Sequence, residues 1–201
     1  MALTKISNNS LSAISSLPAS IPTGALTLLS TQTASASASI EFTSGIDSTY
    51  DSYVFKFINC HPQNDNVDFQ VNFSTDGGSN YNVTKTSTFF AAYQNESGSA
   101  TALTYATDND LAQSTGYQML NDGVGNGNDE SCAGTLQLFN PSSSVYVKHY
   151  IATSHRYYYA DYAIVDYVAG YGNTTSPINA VSFKFESGNI DDGIIKLYGV
   201  S

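Results

Sequence analysis

The side chains in this sequence that are best suited to general acid–base chemistry are three histidines, His61, His149 and His155. They are scattered among many Ser and Asp residues, and a Ser, His and Asp set can be chosen on paper from almost any such chain. Ordinary hydrogen-bonded histidines are the better explanation. A glycine-rich run, GVGNG at 123–127, has no strand before it and no helix after it, so it does not indicate a dinucleotide site. Because no nucleophile, base and orienting group can be named together, the sequence predicts a protein that is not an enzyme.

Four acidic and amide-rich segments have the oxygen-bearing side chains that calcium prefers. They are residues 64–68, 108–110, 121–130 and 191–192. None has the DxDxDG spacing of a known calcium loop, and solvated turns have the same composition. We therefore expect no cofactor, and calcium is the one metal that the composition leaves open.

The densest aromatic cluster is a group of tyrosines at Tyr157, Tyr158, Tyr159 and Tyr162. Tyr offers a large amphipathic contact area at low entropic cost, so an exposed cluster suits the recognition of a sugar or a protein. Alternation along a strand would bury about half of these rings. The four tyrosines are therefore candidates either for a core or subunit interface or for a ligand patch, with a glycan as the ligand.

The charge balance excludes several classes of partner. The 201 residues include 17 acidic and 7 basic side chains, a formal net charge of −10. The clusters of Lys and Arg that give affinity for nucleic acid and for anionic membranes are missing. Ser, Thr, Asn, Gly and Tyr supply the polarity instead, which is typical of β-rich proteins outside cells and on virus particles. The N-terminus does not resemble a signal peptide, and release by lysis of an infected cell is one route by which such a protein reaches the outside.

The two cysteines, Cys60 and Cys132, allow at most one disulfide. Two buried free thiols are the favoured interpretation. A particle that assembles in a reducing cytoplasm would seldom form a bridge.

Apolar and polar residues alternate over most of the chain, which is the pattern of half-buried β-strands. The clearest example is VDFQVNFS at 67–74, and the Gly-containing loop after it predicts a hairpin with 81–88 as the return strand. Other strands are predicted at 53–57, 134–140, 146–153, 181–185 and 194–200, with weaker candidates at 25–31 and 35–43. In total we expect eight to ten strands and at most a short helical turn around 108–113.

These strands predict a single all-β domain over residues 25–201. Short turns between many strands favour an antiparallel β-sandwich, and the jelly-roll is the commonest arrangement of eight strands in two sheets. Phe69, Phe73 and Phe183 are predicted core residues, together with Val71 and Phe185. Two further residues are expected to be only partly covered, namely Val67 and Val181.

Residues 1–24 predict an extended N-terminal arm, because they show no regular period and contain two prolines. Six aliphatic side chains are spaced along this arm: Leu3, Ile6, Leu11, Ile14, Leu17 and Ile21. They have too little apolar surface to fold alone, yet enough to be held in a groove of a partner. We expect the arm to be an assembly element. The following ASASAS at 34–39 is either a linker or a strand whose small side chains allow close approach of another backbone.

The C-terminal segments are the ones that resemble a known class of protein. YGNTTS at 171–176 and AVSFKFESGNIDDGIIKLYGVS at 180–201 resemble a module found in structural proteins of tailed bacteriophages, particularly marine ones. An SGNI turn and a terminal LYG strand recur in that module. Upstream segments of the same kind extend the resemblance over about residues 45–201, and MALTKIS at 1–7 is similar to the start of many phage structural proteins.

The resemblance implies a location in the virion, with other capsid or tail proteins as partners. Because the chain has no coiled-coil heptads or shaft repeats, a head-decoration or cement subunit, or a small tail-attached protein, fits better than a long fibre. Proteins of this kind are homo-oligomers, and a trimer is favoured. The alternative is a carbohydrate-binding module that recognises a receptor, either in a tail fibre or in a lectin-like protein.

Overall fold

A computed structural model describes residues 26–201, and all regular secondary structure in these residues is β-strand. Twelve strands account for the regular structure: β1 (Thr27–Ser37), β2 (Ile40–Phe42), β3 (Ser52–Pro62), β4 (Val67–Ser74), β5 (Lys85–Asn95), β6 (Thr101–Tyr105), β7 (Gln118–Val124), β8 (Cys132–Phe139), β9 (Lys148–Tyr158), β10 (Tyr162–Gly172), β11 (Ala180–Phe185) and β12 (Ile190–Val200). The described residues contain no helix, and therefore none long and apolar enough to span a membrane. The predicted arm at 1–24, with its six aliphatic residues, lies outside the described residues.

All twelve strands belong to one antiparallel sheet, which has two parts. The eight-stranded half has the order β1-β12-β3-β8-β9-β10-β5-β6, and the four-stranded half has the order β7-β4-β11-β2. A single residue pair, Val124 with Tyr158, joins β7 to β9 and so connects the halves. Strands β1 and β2 lie at opposite ends of the strand order, yet only Ala38 and Ser39 separate them in the chain. The sheet therefore curves back on itself. The predicted all-β antiparallel class is confirmed.

The two halves pack face to face through a phenylalanine core. The rings of Phe55 and Phe183 have centroids 5.4 Å apart, and those of Phe57 and Phe69 are 5.2 Å apart. In each pair one ring comes from the eight-stranded half and the other from the four-stranded half. The core comprises these rings and their buried neighbours: Phe42, Phe55, Phe57, Phe69, Phe73, Phe183 and Phe185. Alternation explains it, because each strand sends every second side chain inward.

The predicted core residues are confirmed, but the prediction for two valines was wrong. Phe69, Val71, Phe73, Phe183 and Phe185 are at most 1% exposed. Val67 and Val181, expected to be partly covered, are also buried. Both lie on strands that have a neighbour on each side: Val181 pairs with Phe42 of β2 and with Phe73 of β4.

The predicted hairpin between 67–74 and 81–88 was also wrong. Strand β4 pairs with β7 on one side and β11 on the other, so it has no free edge for a return strand. The intervening loop is instead held by Asp76, whose carboxylate accepts hydrogen bonds from Ser74 Oγ and from both nitrogens of Asn80. The chain then crosses to the eight-stranded half, where β5 pairs with β6 and β10.

The small-residue segment at 34–39 belongs mostly to a strand, because β1 continues to Ser37. Ala34 is buried opposite Gly193 of β12. The close approach that its small side chains allow is therefore made within the chain. Residues 108–113 form turns and bends, without a helical turn.

Candidate functional site

One surface of the eight-stranded half is without charged side chains. We call it the uncharged face, and it consists of the outward-pointing residues at every second position of five strands. These positions are 86–94 of β5, 101–105 of β6, 133–139 of β8, 149–157 of β9 and 163–171 of β10. None of them is Asp, Glu, Lys or Arg. In a chain with 17 acidic residues, the acidic side chains are all at other positions. Two of them reach the margin of the face, where Asp110 and Glu96 accept hydrogen bonds from Tyr105 and Tyr157.

The uncharged face also exposes large apolar side chains. Leu103 is 71% exposed, Ile151 51% and Tyr105 54%. Phe90 and Tyr167 stack on each other across β5 and β10, with ring centroids 4.9 Å apart and an interplanar angle of 11°. Contiguous exposed apolar surface of this kind marks interaction sites in soluble proteins.

The inner side of β5, β9 and β10 borders a cavity of about 300 Å³. We call it the tyrosine cavity, because three of its lining residues are Tyr93 of β5, Tyr158 of β9 and Tyr162 of β10. Its remaining lining residues come from the same strands, from β6 and β7, and from the loop between those two: Phe89, Ala91, Thr104, Ala106, Asn109, Asp122, Arg156 and Ile164. The cavity thus combines aromatic and aliphatic walls with several polar groups, a combination that occurs in small-ligand sites.

The β9–β10 hairpin positions the rings. Arg156 and Tyr158 are two residues apart on β9 and so point to the same inner side, and Tyr162 is the register partner of Tyr158 across the hairpin. The Tyr162 ring lies 5.7 Å from that of Tyr93 and 5.8 Å from that of Tyr158, in both cases edge to face. Gly123 of β7 has a positive φ of 76°, and a Cβ there would lie 2.6 Å from the Tyr158 ring. The first glycine of the GVGNG run therefore makes room for this tyrosine.

The predicted tyrosine cluster is divided between two surfaces. Tyr158 and Tyr162 line the cavity, whereas Tyr157 points outward at the margin of the uncharged face and donates a hydrogen bond to Glu96 (2.8 Å). This acceptor raises the pKa of Tyr157. Tyr159 is 41% exposed in the hairpin turn and contacts the Tyr158 ring.

A buried ionic group lies beneath the cavity. Arg156 Nη1 is 3.0 Å from Asp166 Oδ2, and both side chains are buried. Asn121 Nδ2 donates to the same carboxylate oxygen and to Ser154 Oγ, each at 2.9 Å. Burial raises the pKa of Asp166 to about 6, because removal from water destabilises the charged carboxylate more than Arg156 and Asn121 stabilise it.

The guanidinium of Arg156 keeps hydrogen-bonding capacity. Its Nε and Nη1 atoms are buried, and neither has a hydrogen bond to the described residues, because the contact of Nη1 with Asp166 is not aligned for one. Asp122, also in the cavity wall, accepts a hydrogen bond from Asn109 Nδ2 at 3.0 Å. The cavity wall thus includes an arginine that has unused, buried N–H donors and a carboxylate that can accept hydrogen bonds, beside aromatic rings.

The three histidines are placed apart from the cavity. His149 and His155 are on the uncharged face, and His61 lines a polar depression with Asp129, Glu130 and Asp192. There His61 Nδ1 donates to the carbonyl oxygen of Glu130 (2.7 Å). The carboxylates of Glu130 and Asp192 accept hydrogen bonds from the backbone N–H groups of Gly127 and Gly193. Among residues 26–201, no group of three or more His, Cys, Asp or Glu side chains is placed to hold a metal ion. The four proposed calcium segments do not converge into such a group.

The two cysteines are register partners on β3 and β8. Both are buried and free. Burial raises the pKa of the Cys132 thiol, which keeps it protonated and unreactive.

Sequence reasoning missed Arg156 and Tyr93, and it considered Asp122 and Asn109 only within two separate candidate calcium segments. A signal existed for Arg156, which is the chain's one arginine and lies at an inward position of β9, in phase with the buried Tyr150. The other three come from strands and a loop that no local pattern brings together. No family model matches the chain, and no curated protein and no solved structure is detectably similar to it.

Proposed function

We propose that the protein is a non-enzymatic structural subunit of a virion surface, and that copies associate through the uncharged face. The observation that carries this proposal is the charge distribution. A chain with a net charge of −10 repels its own copies, and an interface between copies must avoid acidic residues. The uncharged face meets that requirement and exposes Leu103, Ile151 and Tyr105.

The size of the face fits a second copy of this chain as its partner. Five strands about 4.8 Å apart, each with about eight residues at about 3.3 Å per residue, cover about 600 Å² in projection. One partner of a standard protein interface contributes about 800 Å² of accessible surface. Because the accessible surface of a patch is larger than its projected area, the uncharged face is of the right size for such an interface. Interface cores are also depleted of charged residues and enriched in aromatic ones.

The strand order supports a jelly-roll as the finer description of the fold. Strands β1, β12, β3 and β8 form one set of four, and β2, β11, β4 and β7 form the other. Along the chain these strands alternate between the two sets except at β4 and β7, which follow each other within one set, as in a jelly-roll. Strands β9, β10, β5 and β6 are an added extension. Viral capsid proteins and lectins both use jelly-rolls, so the fold agrees with either proposed function and proves neither.

The virion location is supported by the resemblance of 45–201 to phage structural proteins and by the sparse, acidic charge. A trimer and a role in head decoration, cementing or tail attachment follow from the same resemblance. Cross-linking mass spectrometry of purified particles would test the location, since it identifies which capsid or tail proteins the chain contacts.

The self-association test uses charge reversal on the face. In size-exclusion chromatography with light scattering, we expect the wild type to be an oligomer, with a trimer favoured. Leu103→Glu and Ile151→Glu should each give monomers, because an unpaired carboxylate would be buried at the contact. Val145→Glu is the matched control, since Val145 is 69% exposed in a loop outside the face. A monomeric wild type, or face variants that stay oligomeric, would contradict the proposal.

The arm is tested by deletion. Removing residues 1–24 should leave the domain folded, because every described core residue lies after Ser30. The truncated protein should no longer join particles. Incorporation equal to that of the full chain would assign attachment to the sheet instead.

Glycan recognition is the second candidate function. The tyrosine cavity favours it, because that cavity unites aromatic walls with a fixed hydrogen-bond donor and acceptor.

A further inference from the structure

The walls of the tyrosine cavity match the apolar side of a sugar ring. Tyr162 packs edge to face on both Tyr93 and Tyr158, at interplanar angles of 72° and 86°, so the three rings together form one aromatic wall of the cavity. Ile164 adds aliphatic surface beside them. A ring with C–H groups on its faces can pack against such walls.

The polar groups of the cavity match hydroxyl groups. Arg156 offers N–H donors at Nε and Nη1 that no described residue uses, although its side chain is only 5% exposed. Asp122 has lone pairs beyond the one that Asn109 occupies. A hydroxyl group both donates and accepts hydrogen bonds, so a polyol can satisfy the arginine and the carboxylate with adjacent hydroxyls.

The local charge argues against an acidic ligand. Asp166 neutralises the guanidinium of Arg156 at 3.0 Å. Asp122 adds a carboxylate in the wall. Asp68 of β4 adds another nearby, where it accepts a hydrogen bond from the N–H of Gly123 in β7. No other cationic side chain lines the cavity. An anion would enter a site whose net charge is negative, whereas a neutral ligand avoids that cost.

We infer that the tyrosine cavity binds a neutral saccharide, with one sugar ring packed against the wall that Tyr93, Tyr158 and Tyr162 form and its hydroxyls bonded to Arg156 and Asp122. The volume of about 300 Å³ is at the small end of ligand cavities, which fits a single ring and leaves the rest of a chain outside. This inference rests on glycan recognition, the second proposed function, and is independent of assembly.

The test combines a glycan array with saturation-transfer NMR on the soluble full chain. The NMR probes are glucose, galactose, mannose and N-acetylglucosamine, with N-acetylneuraminic acid as the acidic comparator. We expect saturable binding of at least one neutral sugar and none of the acidic one. Asp122→Asn and Tyr162→Leu should each weaken that binding at least about ten-fold, because one removes the charged acceptor and the other a wall.

A matched control and a folding check accompany these variants. Tyr146→Leu changes a tyrosine that is 70% exposed in a loop outside both the tyrosine cavity and the uncharged face, so it should bind as the wild type does. Equal Tm values for all variants would show that lost binding is not unfolding. Binding of acidic glycans only would overturn the neutral-saccharide inference while leaving glycan recognition standing. Absence of binding to the array and the probes would overturn both, whatever the oligomeric state proves to be. Binding that Asp122→Asn and Tyr162→Leu leave unchanged would overturn the tyrosine cavity as the site while leaving glycan recognition standing.

Discussion

The inner face of the eight-stranded half is built in two different ways along its width. On β3 and β8 the inward side chains are purely apolar, and Phe55, Phe57 and Leu136 are at most 1% exposed against the four-stranded half. On β9 and β10 the inward positions include Arg156 and Asp166, which are just as deeply buried. The same strand alternation thus serves a phenylalanine core in one region and an ionic group beside a cavity in the other.

The difference between the regions separates stability from recognition. Burial of phenylalanine is favourable without any directional requirement. A buried ion pair often stabilises no more than apolar side chains of the same volume would, because its desolvation cost offsets the attraction. What Arg156 and Asp166 add is a fixed hydrogen-bond donor at the tyrosine cavity. We therefore expect the first region to determine the fold and the second to determine the ligand.

The largest effect should come from the phenylalanine core. Phe183 contacts the rings of Phe42, Phe55 and Phe69. Phe183→Ala should lower the free energy of unfolding by about 3–5 kcal/mol, measured by urea denaturation, because it removes apolar contacts and leaves a cavity. Phe183→Leu retains more of the volume and should cost clearly less. Equal losses for the two variants would mean that packing at Phe183 is not what the structure describes.

The ionic region should respond to single and double changes in opposite ways. Asp166→Ala leaves Arg156 buried without its partner and should cost about 3 kcal/mol at pH 7 in the same denaturation experiment. The double variant Arg156→Met, Asp166→Leu removes both charges and should lie within about 1 kcal/mol of the wild type. If the double variant is less stable than Asp166→Ala, the pair is a net source of stability and the contrast between the regions fails.

A smaller, pH-dependent effect should also distinguish the regions. Burial raises the pKa of Asp166 from 3.8 to about 6, so between these values the folded protein keeps a proton that the unfolded chain has lost. The contribution of Asp166 to the free energy of unfolding therefore falls as the pH rises through this window, by at most about 1.4 kcal/mol per pH unit. From pH 4 to pH 6 the free energy of unfolding of the wild type should therefore fall relative to that of Asp166→Asn. Parallel pH profiles would show that Asp166 is ionised throughout the window.

Much of the fold could be predicted from local sequence. The alternation of Val67, Phe69, Val71 and Phe73 indicated both a strand and its buried side, and the structure confirms both. Strand pairing could not be predicted in the same way, because it depends on which edges remain free. The loop at 75–80 predicted a hairpin, yet both edges of β4 are taken by strands much later in the sequence.

The candidate site could be predicted only in part. Local crowding of Tyr157 to Tyr162 drew attention to the correct hairpin, but no sequence pattern shows which rings face inward until the register is known. Asp122 and Asn109 join Tyr158 only through the fold, since β7 reaches β9 at a single residue pair. The uncharged face was likewise hidden, because its residues are every second position of five separate strands.

That single pair, Val124 with Tyr158, gives the molecule a seam. Every other pair of adjacent strands is joined by at least three residue pairs, and β9 and β10 are joined along all of Tyr162–Gly172. Amide hydrogens of β7 on the edge that faces β9 should therefore exchange with solvent far faster than those of β3 or β12, each of which is bonded on both edges. Because Tyr158 is itself a wall of the tyrosine cavity, opening of the seam would widen that cavity, and a ligand held there should slow amide exchange on β7.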